Sequence, residues 1–135
     1  MEMYIDYCGG KKFCGRTRGL EIFADQPLNS GAKDEAMTPT EIFVFSLGAC
    51  TGMYAQGYCD RNGLSAEGLK IRAEWDKAQA PASIGFIRIE IMLPPGFPSE
   101  HREGLLRVAE KCFIHNTLEQ PPRVEVTLAR EPEVL

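Results

Sequence analysis

Five cysteines are the residues of this chain whose type and spacing could do chemistry. They are Cys8, Cys14, Cys50, Cys59 and Cys112. A cysteine thiolate is a nucleophile, a metal ligand and a group that peroxides oxidise, whereas most free cysteines behave as small buried hydrophobic residues. Because the number is odd, the set does not match the fully paired framework of a secreted disulfide scaffold. In a reducing compartment we expect thiols, unless some of the cysteines are redox-active.

Cys50 and Cys112 are the two cysteines with a setting that favours a functional role. Small residues flank Cys50 in the sequence GACTG, which leaves room for a second element or a ligand. Cys112 comes near the end of a second predicted helix, and packing of that helix on the first would bring it close to Cys50. Cys59 follows Cys50 by nine residues. At about 100° per residue it lies on the opposite side of a helix, so we interpret it as a packing residue.

Other cysteine and histidine combinations leave alternatives open. Cys112 and His115 have half of a metal-ligand spacing, with no second half visible. Cys50 and His115 could form a hydrolase dyad, although histidines such as His115 are more often structural, and we expect His101 to be solvated. Cys8 and Cys14 flank a turn. That arrangement is compatible with a disulfide, half of a metal site or two ordinary thiols.

The element that must position Cys50 is a long helix with clear start signals. Thr38 is the predicted N-cap, Pro39 suits the first helical position, and Glu41 completes a Thr-x-x-Glu capping box. We predict that the helix runs to about Arg61 and stops at Gly63. Its polar face is almost missing, which is typical of a helix in the middle of a molecule.

Three glycines inside this helix need a physical reason. Gly48, Gly52 and Gly57 each cost about 1 kcal/mol of helix stability relative to alanine. Close approach of another backbone would explain them. Gly48 and Gly52 are four residues apart and therefore line one ridge of the helix.

The remaining segments predict an α+β fold, with an antiparallel sheet and helices packed on one face. Alternating apolar and polar residues predict strands, and Ser99 is the expected N-cap of a second helix. The length of 135 residues favours a single domain spanning the chain. The predicted strands at residues 3–7, 13–16 and 20–24 form a small antiparallel meander. Those at residues 68–77 and 84–93 form an antiparallel hairpin because their connection is short, and a last strand covers residues 124–128.

Charge and hydropathy exclude two classes of function. The net charge is −4, and nucleic-acid binding needs a basic surface. No apolar run approaches the roughly 20 residues of a membrane span. The first residues lack the basic and apolar regions of a signal peptide, so the expected location is the cytoplasm.

With these residues in view, the sequence resembles the OsmC/Ohr family. Three segments carry the resemblance: residues 38–43 (TPTEIF), residues 47–51 (LGACT) and residues 109–118 (AEKCFIHNTL). Further similarity covers residues 19–27, 87–93 and 124–128. The resemblance implies antiparallel sheets wrapped around a long buried central helix. It also implies an intertwined homodimer with sites at the subunit interface.

The resemblance further implies thiol-dependent reduction of organic hydroperoxides. On that basis Cys50 is the peroxidatic residue and Cys112 the resolving one, and the cycle passes through a sulfenic acid and a disulfide. A small dithiol or a lipoylated protein would reduce the disulfide, and no metal or organic cofactor is needed. In this family an arginine held by a glutamate activates the thiolate. The corresponding residues here are Arg18 (or Arg16) and Glu41.

The sequence departs from the family pattern at two positions. Thr40 stands where the activating glutamate is usual, and Phe113 stands where a proline follows the second cysteine. Glu41, one residue later, also has the capping role. The chain therefore looks closest to the OsmC-like branch. The alternative is a non-catalytic OsmC-like protein that senses oxidants or binds a small hydrophobic ligand.

Overall fold

The first three strands form an antiparallel meander, as the sequence predicts. The structure is a computed structural model that describes residues 1–130. Strands β1 (Tyr4–Tyr7), β2 (Phe13–Thr17) and β3 (Leu20–Ala24) lie in the order β1-β2-β3. Arg18 and Gly19 make the two-residue turn between β2 and β3, and both have positive φ angles, 52° and 78°. Two positive φ values are what a tight hairpin turn of this kind requires.

Helix α1 (Pro39–Arg61) is the longest element and begins with the predicted capping box. The hydroxyl of Thr38 accepts from the Glu41 N–H at 3.1 Å, and the Glu41 carboxylate accepts from the Thr38 N–H at 2.9 Å. The helix ends at Arg61, and Gly63 follows with a φ of 64°. Both predicted ends of the helix are confirmed.

One face of α1 is buried and the other is not. The buried residues are Val44, Leu47, Gly48, Thr51, Ala55 and Cys59. On the far side Phe45 and Met53 are 59% and 70% exposed. Burial on all sides is therefore not reached within one chain, because the sheets of this chain cover only one side of the helix.

Strands β4 (Lys70–Gln79) and β5 (Ala82–Met92) form the predicted antiparallel hairpin. Isoleucines of the hairpin pack on the glycine ridge of α1. A Cβ on Gly52 would lie 3.3 Å from Cγ1 of Ile71, and one on Gly48 would lie 3.6 Å from Cγ2 of the same side chain. The glycines thus make room for a side chain of β4, rather than for the backbone that the sequence led us to expect.

The second helical region differs from the prediction at both ends. Ser99 is the first residue of a 3-10 turn (Ser99–His101) and makes no capping hydrogen bond through its side chain. Helix α2 (Arg102–Ala109) ends three residues before Cys112, and helix α3 (Phe113–Glu119) begins directly after it. Cys112 therefore lies at a junction between two helices, not on the buried side of one.

The predicted strand at residues 124–128 is wrong for the single chain. This segment has no strand assignment, and Val124, Val126 and Leu128 are 77%, 93% and 95% exposed. A strand needs a hydrogen-bonded neighbour. Within residues 1–130, the two sheets contain only β1 to β5, so no neighbour is recorded for this segment.

The compact part of the core lies where α1 meets α2. Ala55 and Cys59 of α1 and Leu105 and Ala109 of α2 are at most 1% exposed. Side chains of the hairpin, such as Ile91, pack against this cluster. The α+β class with antiparallel sheets is confirmed. No helix within residues 1–130 has the length and apolar character needed to cross a membrane.

Candidate thiol site

Cys112 caps helix α3 with its own side chain. Its backbone is extended, with φ −66° and ψ 155°, and its Sγ accepts a hydrogen bond from the His115 N–H at 3.4 Å. An N-cap side chain normally satisfies one of the unpaired N–H groups of the first helical turn. The thiol is fully buried. Its position is therefore fixed by the start of α3.

The other neighbour of the Cys112 sulfur is a threonine of α1. Thr51 Oγ1 lies 3.7 Å from Cys112 Sγ, and the same hydroxyl donates to the Leu47 carbonyl at 3.0 Å. Thr51 is only 7% exposed. The contact joins two residues that are 61 positions apart and ties the α2–α3 junction to the middle of α1.

Cys50 directly precedes Thr51 in α1 and is partly exposed, with a free thiol. Consecutive helical side chains point about 100° apart. Cys112 thus lies beside the turn of α1 that carries Cys50. Of the two residues, Cys50 is partly exposed, whereas Cys112 is fully buried.

A cavity of about 230 Å³ adjoins the two-helix contact. Thr51 and Leu47 line it from α1, and Glu110 and His115 line it from the junction between α2 and α3. Isoleucines of β5 make its far wall. The carboxylate of Glu119 lies 3.1 Å from Nε2 of His115. In the described part of the chain, residues 1–130, no hydrogen bond joins the His115 ring to Cys50, so the hydrolase dyad gains no support.

Neither of the two proposed activating residues, Arg18 and Glu41, takes part in an ion pair within residues 1–130. Arg18 is at the tip of the β2–β3 turn, and within residues 1–130 no ion pair joins it to a carboxylate. Glu41 is held by the capping box at the start of α1. The capping interpretation of Glu41 is confirmed by these bonds. A part in catalysis for either residue stays a prediction.

Arg16, the other candidate arginine, is already paired. Its Nη1 lies 2.9 Å from the Asp6 carboxylate, and its Nε lies 2.6 Å from that of Glu21. The hydrogen bond to Glu21 raises the pKa of Arg16. Among the two arginines, Arg18 therefore has the side chain that is not committed to β-sheet carboxylates.

The remaining cysteines have structural surroundings. Cys59 is fully buried in the core cluster, and burial raises the pKa of its thiol. Burial also raises the pKa of Cys14, opposed by the nearby Arg16 guanidinium. Cys8 is exposed, and its N–H donates to the Lys12 carbonyl. Cys14 on β2 lies opposite Asp6 on β1 in the register of the sheet. All five thiols are free, and within residues 1–130 no group of three or more metal-ligating side chains comes together.

Two features of the site were beyond the sequence reasoning. Thr51 was noticed only as one of several small residues around Cys50, because a buried threonine in a helix gives no sign of its partner. His101 was expected to be solvated, but its Nδ1 lies 2.7 Å from the Tyr58 hydroxyl and the ring is partly buried. The sequence has no local signal for this bond, because Tyr58 and His101 are 43 positions apart.

A larger apolar cavity of about 790 Å³ lies between the first sheet and the start of α1. Apolar side chains from both elements form its walls, including Ile5, Phe13 and Ile22 of the sheet and Ile42 and Phe43 of the helix. A cavity of this size and character is typical of a site for a small hydrophobic molecule or of a surface that another chain covers.

The fold is that of an α+β protein, and the two thiols near one turn of its central helix form a candidate cysteine-based site. Residues 32–127 match the family model for OsmC-like proteins. The chain belongs to the OsmC-like protein family. Comparison with curated proteins gives no significant match.

Solved structures support the same fold. An organic hydroperoxide resistance protein OsmC from Legionella pneumophila is 19% identical, with a TM-score of 0.65 over 87% of this chain and 89% of that chain. An OsmC-like protein from Mycoplasma pneumoniae is 15% identical, with a TM-score of 0.74 over 89% and 87%. An organic hydroperoxide resistance protein from Elizabethkingia anophelis is 16% identical, with a TM-score of 0.66 over 90% of both chains.

Proposed function

We propose that this protein is a thiol-dependent peroxidase for organic hydroperoxides, with Cys50 as the peroxidatic and Cys112 as the resolving residue. Membership of the OsmC-like family supports a peroxidase-like role. The names of the Legionella and Elizabethkingia proteins point to organic hydroperoxides as substrates. The observation that carries the assignment to these two cysteines is the contact between Thr51 and Cys112.

That contact matters because a resolving cysteine must reach the sulfur that the peroxide oxidises. Thr51 is the neighbour of Cys50 in α1, so the contact brings Cys112 to the correct turn of the helix. The partial exposure of Cys50 gives a peroxide access to it, whereas the buried Cys112 is protected. This division suits one thiol that meets the substrate and a second that acts afterwards.

The proposed cycle has three steps: oxidation of Cys50, formation of the disulfide, and its reduction. The Cys50 thiolate attacks the O–O bond of the hydroperoxide, the alcohol leaves after taking up a proton, and Cys50 becomes a sulfenic acid. The Cys112 thiolate then attacks that sulfur, the S–S bond forms, the S–O bond breaks, and hydroxide leaves as water. A dithiol, free or on a lipoylated protein, reduces the disulfide by thiol exchange and becomes oxidised.

A positive charge near Cys50 would favour its thiolate. Cys50 is the twelfth residue of α1, too far from the helix N-terminus for the helix dipole to supply it. Arg18 is the candidate, because Arg16 is already paired with Asp6 and Glu21. Arg18 sits on a hairpin tip, so delivery of its side chain to Cys50 would require a second subunit or movement of the hairpin.

We further propose that the working form is a homodimer. Apolar side chains are exposed on the far face of α1 and along residues 124–128, as shown by Phe45 at 59% and Val126 at 93%. Many exposed large apolar side chains on a folded protein are typical of an interface. A second copy would cover this surface and offer a strand neighbour to residues 124–128. The five free thiols fit a reducing compartment such as the cytoplasm.

The test is turnover of cumene hydroperoxide with dihydrolipoamide as reductant, followed through consumption of the dithiol. We expect Cys50→Ser to abolish turnover. Cys59→Ala, in the same helix but on the opposite side, is the matched control and should keep it. Equal turnover in Cys50→Ser and the unchanged protein would overturn the proposal.

The second candidate is a non-catalytic protein that binds a small hydrophobic ligand or senses oxidants through Cys50. The apolar cavity between the first sheet and α1 favours it. One measurement, the sustained consumption of dihydrolipoamide, separates the two candidate functions. A sensor would form the Cys50 oxidation product without sustained consumption of dihydrolipoamide, whereas a peroxidase consumes the dithiol until the hydroperoxide is exhausted.

A further inference from the structure

The hydroxyl of Thr51 has one proton and two polar neighbours. The Leu47 carbonyl lies at 3.0 Å and the Cys112 sulfur at 3.7 Å. A carbonyl oxygen can only accept a hydrogen bond, so in the observed arrangement the proton of Thr51 is directed to Leu47. The lone pairs of Oγ1 are then free to accept the S–H of Cys112.

Loss of the Cys112 proton changes the hydrogen bonds that its sulfur can make. A thiolate can only accept hydrogen bonds. The Thr51 hydroxyl can rotate about its Cβ–Oγ1 bond so that its proton points to the sulfur, without movement of any heavier atom. The Leu47 carbonyl loses only this additional bond, because it already accepts in the helical ladder. Thr51 can therefore serve the thiol as an acceptor and the thiolate as a donor.

The other neighbours of the Cys112 sulfur are a backbone N–H, apolar side chains and ionisable side chains. The His115 N–H bonds it from the side of α3 at 3.4 Å. The neighbouring cavity is lined by Ile87 and Ile89 and by the ionisable side chains of Glu110 and His115. A carboxylate such as that of Glu110 repels a thiolate. The hydroxyl of Thr51 is thus the neutral donor that faces Cys112 from α1.

We infer that Thr51 is a positioning residue for the resolving step: its hydroxyl holds the Cys112 sulfur in place and stabilises its thiolate while it attacks Cys50. This inference rests on the proposed two-cysteine cycle. The step itself forms the Cys50–Cys112 bond and releases the group attached to the Cys50 sulfur. Thr51 contributes to the rate of that step, not to the oxidation of Cys50.

The experiment starts the resolving step without any peroxide. In a Cys8→Ser background, the accessible Cys50 thiolate attacks dithiodipyridine, which releases a first thiopyridone and leaves Cys50 as a mixed disulfide with thiopyridine. Attack by Cys112 then forms the protein disulfide and releases a second thiopyridone. The absorbance phase whose rate does not depend on the reagent concentration gives the rate of this second step. Thr51→Val keeps the shape and loses the hydroxyl, and we expect it to slow the second step about tenfold. Thr51→Ser restores the hydroxyl and should return most of the rate.

Thr117→Val is the matched control. Thr117 makes the same kind of bond to the carbonyl four residues before it, that of Phe113 at 2.9 Å. Among residues 1–130, no hydrogen bond joins Thr117 to a sulfur atom. Its rate should equal that of the parent. If Thr51→Val does not fold, judged by circular dichroism, Thr51→Ala replaces it. A parental rate in Thr51→Val or Thr51→Ala, or no recovery in Thr51→Ser, would overturn the inference.

The design separates this inference from the proposed function. Release of the second thiopyridone that depends on the Thr51 hydroxyl supports the inference even if hydroperoxides fail to oxidise Cys50, in which case only the peroxidase proposal falls. Release that is independent of the hydroxyl refutes the inference and leaves the peroxidase intact. No second release from the parent protein would contradict both, since the two cysteines would then not meet.

Discussion

The hydroxyl of Tyr58 and the Nδ1 of His101 form a hydrogen bond of 2.7 Å that joins α1 to the turn before α2. Both side chains are partly buried, and their rings meet edge to face at 5.7 Å between centroids. Because α2 leads to the junction that holds Cys112, this bond helps to fix α2, and with it that junction, against α1.

Removal of that hydrogen bond should destabilise the fold. Tyr58→Phe leaves the ring in place and deprives His101 of its partner, so we expect the free energy of unfolding to fall by about 1 kcal/mol. Urea denaturation measures it. Tyr7→Phe is the control, because the Tyr7 hydroxyl bonds an exposed carbonyl of Gly10 that water can satisfy instead. An equal loss in both variants would contradict the role given to the Tyr58–His101 bond.

The same contact makes Gly104 hard to replace. A Cβ at this position would lie 2.6 Å from the Tyr58 hydroxyl and 3.1 Å from the ring carbon that bears it. Gly104→Ala should therefore cost about 1–3 kcal/mol of stability, as overpacked sites do. Thermal unfolding followed by circular dichroism measures the change.

Gly57→Ala is the counterpart with the opposite expected sign. The nearest atom to a Cβ on Gly57 is the end of the flexible Arg61 side chain, at 3.3 Å, which can move away. The higher helix propensity of alanine should then stabilise the protein by about 0.5–1 kcal/mol. A destabilised Gly57→Ala variant would show that the space around this part of α1 is smaller than the structure indicates.

Asp25 should make the stability of the fold depend on pH in the acid range. Its buried carboxylate accepts from the N–H groups of Glu35 at 3.0 Å and Gln26 at 2.8 Å, and these bonds lower its pKa. A carboxyl whose pKa is lower in the folded state stabilises the fold above its unfolded pKa of about 3.9. That stabilisation is lost as the pH falls below this value, because the folded state must then take up a proton.

Asp25→Asn tests this dependence. We expect the variant to be less stable than the parent at neutral pH, with a smaller further loss between about pH 5 and pH 2. Asp34→Asn is the control, since Asp34 is exposed and asparagine tolerates its φ of 55°. Parallel stability curves for the parent and Asp25→Asn across this pH range would contradict the argument.

The proposed dimer predicts a mass by light scattering of twice the 15.0 kDa of one chain. Val126→Asp should weaken it, because the substitution places a charge on the exposed apolar side of residues 124–128. Thr127→Asp changes the neighbouring residue on the other side of the segment and should preserve the dimer. A monomeric parent protein would refute the assembly.

The parts of the fold that could be predicted are those with local signals. The capping box of Thr38 and Glu41 follows from residues that contact one another within a single turn of helix. The β4–β5 hairpin follows from the alternation of residues such as Ile87 and Ile89 around a short connection. Such patterns can be predicted from the sequence, because each element is stabilised by residues that are close in sequence.

The parts that could not be predicted depend on distant partners. The glycines of α1 pointed to a close neighbour, but only the structure shows that the neighbour is the Ile71 side chain. Residues 124–128 alternate as a strand does, yet the pattern does not say which edge would receive them. Cys112 was placed on the wrong element because nothing local distinguishes the last turn of α2 from the cap of α3.

The central claim is that Cys50 and Cys112 form one redox pair. Reduced protein should be treated with cumene hydroperoxide, its remaining thiols alkylated, and its peptides mapped by mass spectrometry. We predict a disulfide between Cys50 and Cys112. Cys14 and Cys59 should remain free thiols and should be alkylated once the protein is unfolded. Unmodified Cys50 and Cys112 after treatment with excess hydroperoxide would contradict the claim.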